Sequence, residues 1–143
     1  MGNCAVFYLT KKISNQRFVK MKTDIRNRKD IEKLVNTFYD KVKTDVVIGY
    51  LFTDVAKVNW ELHLPKMYNF WENILFYSAN YSGSPMAVHK ELHQKSTMNA
   101  EHFQHWNELF NKTVDKLFEG LKADEIKNRA MNISAVMMYK TLA

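Results

Sequence analysis

The stretch that decides the fold is YSGSPMAVHKELH, residues 81–93. Ser84 followed by Pro85 favours the start of a helix, because serine is a common N-cap and proline fits the first helical turn. The pattern predicts a short helix that follows a polar loop over residues 78–83, and this helix carries His89. The sequence on either side of this helix must show whether His89 belongs to an ordinary helical bundle or to a binding site.

On both sides of this stretch, apolar residues recur at three- and four-residue steps, which is the spacing of one face of a helix. The pattern predicts four long helices, with inward-facing residues between positions 31 and 42, 60 and 75, 102 and 118, and 123 and 140. Only four glycines and two prolines interrupt the 143 residues, which favours long helices over a turn-rich β fold. The sequence therefore predicts an all-α fold.

Local signals indicate where these elements begin and end. Asn27 is expected to cap the first long helix, with Asp30 favourable in its first turn. Residues 49–52, Gly-Tyr-Leu-Phe, are expected to form a tight turn. Gly120 is expected to end the third long helix, because glycine readily adopts the left-handed conformation of a C-terminal cap.

The net charge of +6 is concentrated at the N-terminus. Residues 1–30 hold eight Lys or Arg against two Asp, whereas residues 31–143 hold thirteen basic and thirteen acidic residues. We therefore predict a basic extension over residues 1–21 and one domain over residues 22–143. A nucleic-acid-binding fold would be expected to carry its charge on a structured face, so no nucleic-acid partner is expected.

Cysteine usage and hydropathy indicate the compartment. Cys4 is the single cysteine, which excludes an internal disulfide and fits a reducing environment. The apolar run over residues 5–9 is shorter than the core of a signal peptide, and no stretch approaches the length of a membrane span. We expect a cytoplasmic protein without a membrane partner.

Four polar side chains fall on or beside the predicted apolar faces: Tyr39, His63, His102 and Trp106. Buried polar groups need partners, so several that converge suggest a site. Taken singly, an inward Tyr or Trp is more often part of a core, and an inward His more often bonds a backbone carbonyl. Periodicity alone leaves both interpretations open.

Metal sites built from side chains alone are not favoured. His89 and His93 share one helical face and could chelate a divalent ion, but Lys90 stands where a zinc protease helix has its glutamate. His102 and His105 are three residues apart, without a nearby cysteine or a patterned carboxylate. Nucleophilic catalysis is also not favoured, because no serine lies in a glycine-flanked elbow.

Four blocks of the sequence are informative when taken together: residues 38–42, 63–71, 81–86 leading to His89, and 102–106 with 109–110. In order and spacing they resemble the group III truncated haemoglobins. The resemblance covers roughly residues 22–141 and implies a truncated globin domain, a two-over-two helical sandwich around non-covalently bound haem b. A covalent C-x-x-C-H haem attachment motif does not occur.

The resemblance assigns roles to the polar residues. His89 matches the proximal histidine that ligates the iron, and His63 matches the histidine at the distal gate. Tyr39 and Trp106 match two distal donors, which suit a bound ligand that carries partial negative charge. His102 matches no such role and is interpreted as a structural or supporting residue.

The walls of a haem pocket can also be proposed from chemistry, because haem is flat and apolar. Lys66 is a candidate partner for a haem propionate. The candidate walls are Phe38, Phe52, Met67, Phe70, Val88, Leu92 and Phe103.

The resemblance implies binding of O2 and of other diatomic ligands such as NO and CO, in a monomer or weak dimer. Two alternatives stay open. One is a haem-based redox enzyme, an NO dioxygenase or a peroxidase-like protein served by an unknown reductase. The other is a gas- or haem-sensing interaction module. A helical interaction protein without any metal is a third hypothesis, which an intense Soret band in the purified protein would exclude.

Removal of residues 1–20 is expected to leave haem content and ligand kinetics nearly unchanged, because that segment lacks sustained helical periodicity and holds most of the excess charge. The truncated and full-length chains can be compared by absorption spectroscopy and by thermal melting. A large loss of thermal stability would show that the segment packs on the domain.

Overall fold

The computed structural model describes residues 20–142, which form helices and connecting loops and contain no β-strand. Residues 1–19, with Cys4 and most of the predicted basic extension, lie outside the described residues, so the domain division stays a prediction. The helices are α1 (Arg28–Lys43), α2 (Trp60–Phe76), α3 (Pro85–Lys95), α4 (Ala100–Leu117) and α5 (Leu121–Leu142), with a π-helical turn over Leu51–Val55.

The four long helices pack as two layers of two. Helix α1 contacts α2 and α4, and α5 contacts α4 and α2, while the short α3 rests on α5 and on the π-helical turn. This is the predicted all-α, two-over-two sandwich. Its core is formed by the inward faces of the long helices, with Phe38, Phe110 and Ile126 among the fully buried side chains.

None of the helices within residues 20–142 combines the length and the apolar character needed to cross a membrane.

Two predicted helix starts are confirmed. The side chain of Asn27 accepts a hydrogen bond of 3.2 Å from the backbone N–H of Asp30, in the first turn of α1. Pro85 is the first residue of α3, and Ser84 stands at the N-cap position, although its side chain makes no capping hydrogen bond. The fixed backbone angle of proline therefore contributes more to this start than the serine hydroxyl does.

The tight turn expected at residues 49–52 is instead helical, continuing into the π-helical turn. The carboxylate of Asp45 nucleates this segment, because it accepts hydrogen bonds from the backbone of Val47 (2.9 Å) and Ile48 (3.0 Å). Gly49 then passes close to α1: a Cβ at this position would lie 2.9 Å from the carbonyl oxygen of Val42. Here glycine permits a close approach rather than a turn.

Gly120 was expected to end the third long helix, and this prediction is wrong. Helix α4 ends at Leu117, with Phe118 as an extended C-cap residue. Gly120 precedes α5 and has a φ of +144°, with a hypothetical Cβ only 2.5 Å from Cγ of Asp24. The glycine is required there because a distant carboxylate packs against its backbone.

Asp24, near the start of the described residues, forms hydrogen bonds with the first residues of α5. Its carboxylate accepts hydrogen bonds of 2.9 Å from the backbone N–H groups of both Lys122 and Ala123. Burial alone would raise the pKa of Asp24, but these bonds and one from Ile25 together outweigh burial and lower it below the ordinary 3.8. Asp24 thus acts as the N-cap of α5, although it lies nearly one hundred residues earlier in the sequence.

Asp24→Ala is expected to lower the free energy of unfolding by about 1 kcal/mol at pH 7, because it removes the cap of α5. The measurement is urea unfolding, with Asp40→Ala as control, since the Asp40 side chain is 77% exposed and its ion pair with Lys43 is long, at 3.8 Å. A lowered carboxyl pKa stabilises the folded state above pH 3.8 and loses this effect as the pH falls through the folded-state pKa. The free energies of unfolding of the wild type and Asp24→Ala should therefore become equal as the pH falls below 3.8 and through the folded-state pKa. Equal losses of unfolding free energy in Asp24→Ala and Asp40→Ala at pH 7 would contradict the capping role.

Candidate functional site

A cavity of about 390 Å³ lies between the two helical layers and α3, within the size range of small-molecule sites. It draws side chains from all five helices, from the π-helical turn and from the loop before α3. Eleven of the twelve residues predicted for the site line it: Tyr39, Phe52, His63, Lys66, Met67, Phe70, Val88, His89, Leu92, Phe103 and Trp106.

His89 presents a free nitrogen to this cavity. Its Nδ1 lies 2.6 Å from the carbonyl oxygen of Pro85, one turn earlier in α3. Because a carbonyl oxygen only accepts, Nδ1 carries the proton and donates, which leaves the lone pair of the neutral ring on Nε2. A histidine oriented in this way is suited to bind a metal through Nε2.

Tyr39 enters the cavity from α1 and is only 4% exposed. Its ring packs edge-on against Phe52 and His63, with centroid separations of 6.0 and 5.1 Å, and tilted against Trp60 at 5.5 Å. Burial raises the pKa of its phenol, so the group is protonated at neutral pH. Within residues 20–142 the hydroxyl has no hydrogen-bond partner, and it is therefore available as a donor to a ligand.

Trp106 forms a rigid part of the wall on α4. Its indole stacks on Phe110 at 5.2 Å with an interplanar angle of 7°, and it lies parallel to Trp71 at 6.4 Å. No side chain or backbone group in the described part of the chain accepts from its N–H. The indole N–H is thus a second donor without a protein partner.

His63 lies on α2, with its ring edge-on to both Tyr39 (5.1 Å) and Trp60 (5.7 Å). Its Nε2 is buried and has no hydrogen-bond partner among residues 20–142. Burial, followed by the charges of Lys66 and His89, lowers the pKa of His63 below 6.5. The ring is therefore neutral at pH 7.

Lys66 and Val88 line the rim of the cavity and are exposed. Lys66 forms no ion pair with any acidic residue in the described range, so its ammonium group is available to an anionic group at the opening. The other predicted apolar walls lie deeper, with Phe103 buried.

Phe38 does not line the cavity, contrary to the prediction. It is 1% exposed and lies behind the wall, edge-on to Trp106 at 5.3 Å and to Phe110 at 5.2 Å. Consecutive helical residues point about 100° apart, so Phe38 and Tyr39 cannot both face the same space. Phe38 supports Trp106 instead of contacting a ligand.

Several lining residues were not predicted. Tyr81 packs edge-on against Phe70 at 5.1 Å, and burial raises the pKa of its phenol. It lies in the quoted stretch, but helical periodicity gives no orientation for a loop residue. The remaining unpredicted side chains in the wall include Ile48, Leu51, Met98, Ile133, Ser134 and Met137.

The other histidines have structural partners. His102 forms a reciprocal capping box with Asn99 at the start of α4, with both bonds at 3.1 Å, which confirms its structural interpretation. His93 accepts a 3.0 Å bond from the backbone beyond α3, and His105 contacts Asp45 at 2.8 Å. Among residues 20–142, no cluster of three or more His, Cys, Asp or Glu side chains could hold a metal ion.

The helical sandwich with its central cavity has the fold of the truncated globins, and two comparisons with known proteins agree. Group 3 truncated hemoglobin ctb of Campylobacter jejuni subsp. jejuni serotype O:2 is 29% identical over 126 residues, covering 84% of this chain and 97% of that protein. The predicted resemblance to the group III truncated haemoglobins is thereby confirmed in sequence.

The structural comparison agrees. The crystal structure of group III truncated hemoglobin from Campylobacter jejuni matches with a TM-score of 0.73 and 27% identity, covering 83% of this chain and 94% of that one. No protein-family model matches the chain.

Proposed function

We propose that this chain is a haem b protein that binds O2, and other diatomic ligands such as NO and CO, at an iron ligated by His89. The observation that carries the proposal is the free Nε2 of His89 in a cavity that also contains two unpartnered donors, Tyr39 and Trp106. The similarity to proteins named truncated hemoglobins supports it.

The residues of the cavity fit the chemistry of haem. A flat, mainly apolar group is matched by the side chains of Phe52, Phe70 and Phe103, while its carboxylates are matched by the free ammonium group of Lys66 at the rim. The hydrogen bond that fixes His89 leaves a nitrogen lone pair for the iron. Binding is non-covalent, because the chain has no C-x-x-C-H motif.

Haem bound here would supply the iron to which a diatomic ligand binds. The contribution of the chain begins with the Nδ1 bond from His89 to Pro85, which sets the ring orientation and raises the basicity of Nε2. α3, which carries both residues, contacts α5 and the π-helical turn. These contacts would hold His89 in place to ligate the iron.

Tyr39 and Trp106 would donate hydrogen bonds to the bound diatomic ligand. Both groups are held by aromatic packing before any ligand arrives, so little reorganisation is needed. A hydrogen bond to a charged group contributes roughly 1.5–3 kcal/mol. These donors would retain O2, which gains negative charge on binding, more strongly than the less polar CO.

His63 would control access from the α2 side. Pro65 lies within α2 and has no N–H, so it cannot bond the carbonyl of Glu61 in the preceding turn. The backbone near His63 is therefore held by fewer hydrogen bonds than the middle of α2. The ring of His63 packs on Tyr39 and Trp60 rather than on Trp106 itself, so its movement would act first on those two side chains.

His89→Gly is expected to lose most of its haem, or to retain haem only when imidazole is supplied, because the metal-binding nitrogen is removed. The measurement is the Soret absorbance per protein after reconstitution. Lys90→Gly is a matched control: it places the same helix-weakening residue next to His89 in α3 and should bind haem normally. An ordinary five-coordinate ferrous spectrum from His89→Gly without imidazole would refute the assignment.

Tyr39→Phe and Trp106→Phe are each expected to accelerate O2 dissociation about ten- to a hundredfold, which corresponds to the loss of one such hydrogen bond. CO dissociation, measured by stopped flow on the same variants, should change little. The double variant should fall short of additivity, because two donors that meet one ligand form a single network. Equal acceleration of O2 and CO would mean that the residues act by packing alone.

A further inference from the structure

The connection between α3 and α4, residues 96–99, is held by one histidine from each helix. The backbone N–H of Met98 donates to Nδ1 of His93 at 3.0 Å, and the backbone N–H of Asn99 donates to Nδ1 of His102 at 3.1 Å. Two successive backbone groups are therefore bonded to two imidazoles, one from the helix before them and one from the helix after. We call the two histidines with these two N–H groups the histidine clasp.

The clasp requires both imidazoles to be neutral. A backbone N–H can only donate, so each Nδ1 must be an unprotonated acceptor and each ring carries its hydrogen on Nε2. In His102 this Nε2 lies 3.4 Å from the hydroxyl oxygen of Tyr50, which can accept from it. A protonated imidazole has a hydrogen on both nitrogens and is only a donor. Uptake of a proton by His93 or His102 therefore breaks the bond of that ring to the connection.

Within residues 20–142, no carboxylate forms an ion pair with either ring that would favour its charged form. The imidazole that pairs with a carboxylate in that range is His105, at 2.8 Å from Asp45. The charged residues of α3, of the first turn of α4, of the π-helical turn and of the cavity-lining end of α5 are all exposed to solvent. They are Lys90, Glu91, Lys95, Glu101, Asp54 and Lys140.

The clasp acts on the candidate site through α3 and through Met98. His93 lies one turn after His89 on α3, and this helix has no fully buried side chain, so the bond near its C-terminal end contributes to its position. Met98 is 7% exposed and lines the cavity, and its own N–H is the group bonded to His93. Opening of the clasp would therefore loosen the helix that carries His89 together with a part of the cavity wall.

We propose that His93 and His102 are positioning residues: as neutral imidazoles they hold the connection between α3 and α4, and uptake of a proton by either ring releases it and loosens α3 with His89. This inference rests on the proposed function, because His89 is taken as the iron ligand. The closed clasp binds fewer protons than the open one, so it weakens as the pH falls. Histidine is the side chain that ordinarily changes charge between pH 5 and 8.

Asparagine provides a matched replacement for each histidine. Its Oδ1 stands at the same bonded distance from the backbone as Nδ1 of histidine and accepts a hydrogen bond, but it does not take up a proton in this pH range. The double variant His93→Asn, His102→Asn should therefore keep the clasp closed at every pH. The double variant His93→Leu, His102→Leu removes both acceptors, and His105→Asn is the control for a histidine outside the clasp.

The first measurement is hydrogen exchange of the Met98 and Asn99 amides in the full-length chain as purified, corrected for the effect of pH on the exchange chemistry. Protection of both amides in the wild type should fall about tenfold between about pH 7.5 and about pH 5.5. The double Asn variant should show no such fall, and the double Leu variant should lack protection at both pH values. His105→Asn should behave as the wild type.

The second measurement is the rate at which the haem-loaded chain loses its cofactor to an excess of an apoglobin acceptor. Over the same pH range the wild-type rate should rise about three- to tenfold, which corresponds to the loss of one hydrogen bond between neutral groups. The double Asn variant should show a smaller rise, whereas the double Leu variant should lose haem fast already at about pH 7.5. The wild type and the Asn variant carry the comparison even where the Leu variant does not fold.

Protection of the two amides that is independent of pH in the wild type, or a fall that persists in the double Asn variant, would overturn the clasp. Loss of amide protection without a change in the rate of haem loss would overturn its effect on His89. A wild type that takes up no haem would instead refute the proposed function, while the exchange measurement would still test the clasp. The two failures are therefore distinguishable.

Discussion

The stacking of Trp71, Phe110 and Trp106 is the interaction on which both the fold and the site depend. Trp71 lies on Phe110 at 4.9 Å and Phe110 on Trp106 at 5.2 Å, and Phe38 meets the stack edge-on from α1. Such pairs stabilise by about 0.5–1.5 kcal/mol each beyond the area they bury. The stack joins α1, α2 and α4, so the packing that forms the sandwich also fixes the indole N–H at the cavity wall.

The side of the cavity that holds His89 is built differently. α3 has no fully buried side chain, and Tyr77 and Ala79, in the loop before it, have left-handed backbone angles of +56° and +57°. α3 is therefore held by half-buried side chains that contact α5 and the π-helical turn. A ligand bound through His89, as proposed, would add contacts to this helix and stabilise the folded state by mass action.

The sequence predicts the helices well, because each long helix buries one continuous face. The sequence is less informative about the role of single residues at the cavity and at the helix ends. Phe38 and Tyr39 both lie on the inward face of α1, and periodicity cannot tell which of two neighbours reaches a cavity. A glycine at position 120 is typical of a helix end. It instead precedes a helix, because the carboxylate of Asp24, distant in sequence, packs against it and caps α5. The roles of His89, Tyr39 and Trp106 came from the family resemblance, since spacing alone allowed an ordinary core.

The polar groups of the cavity differ in chemistry and in how firmly they are held. Tyr39 and Trp106 are donors on tightly packed helix faces, so their hydrogen atoms stay where an anionic ligand would need them. His63 differs from these donors: its buried Nε2 has no partner among residues 20–142, and Pro65 leaves the Glu61 carbonyl nearby without its helical hydrogen bond. Fixed donors suit retention of a ligand, which requires geometry that does not change. A side chain on less completely bonded backbone would suit the proposed control of access, which requires a group that can move.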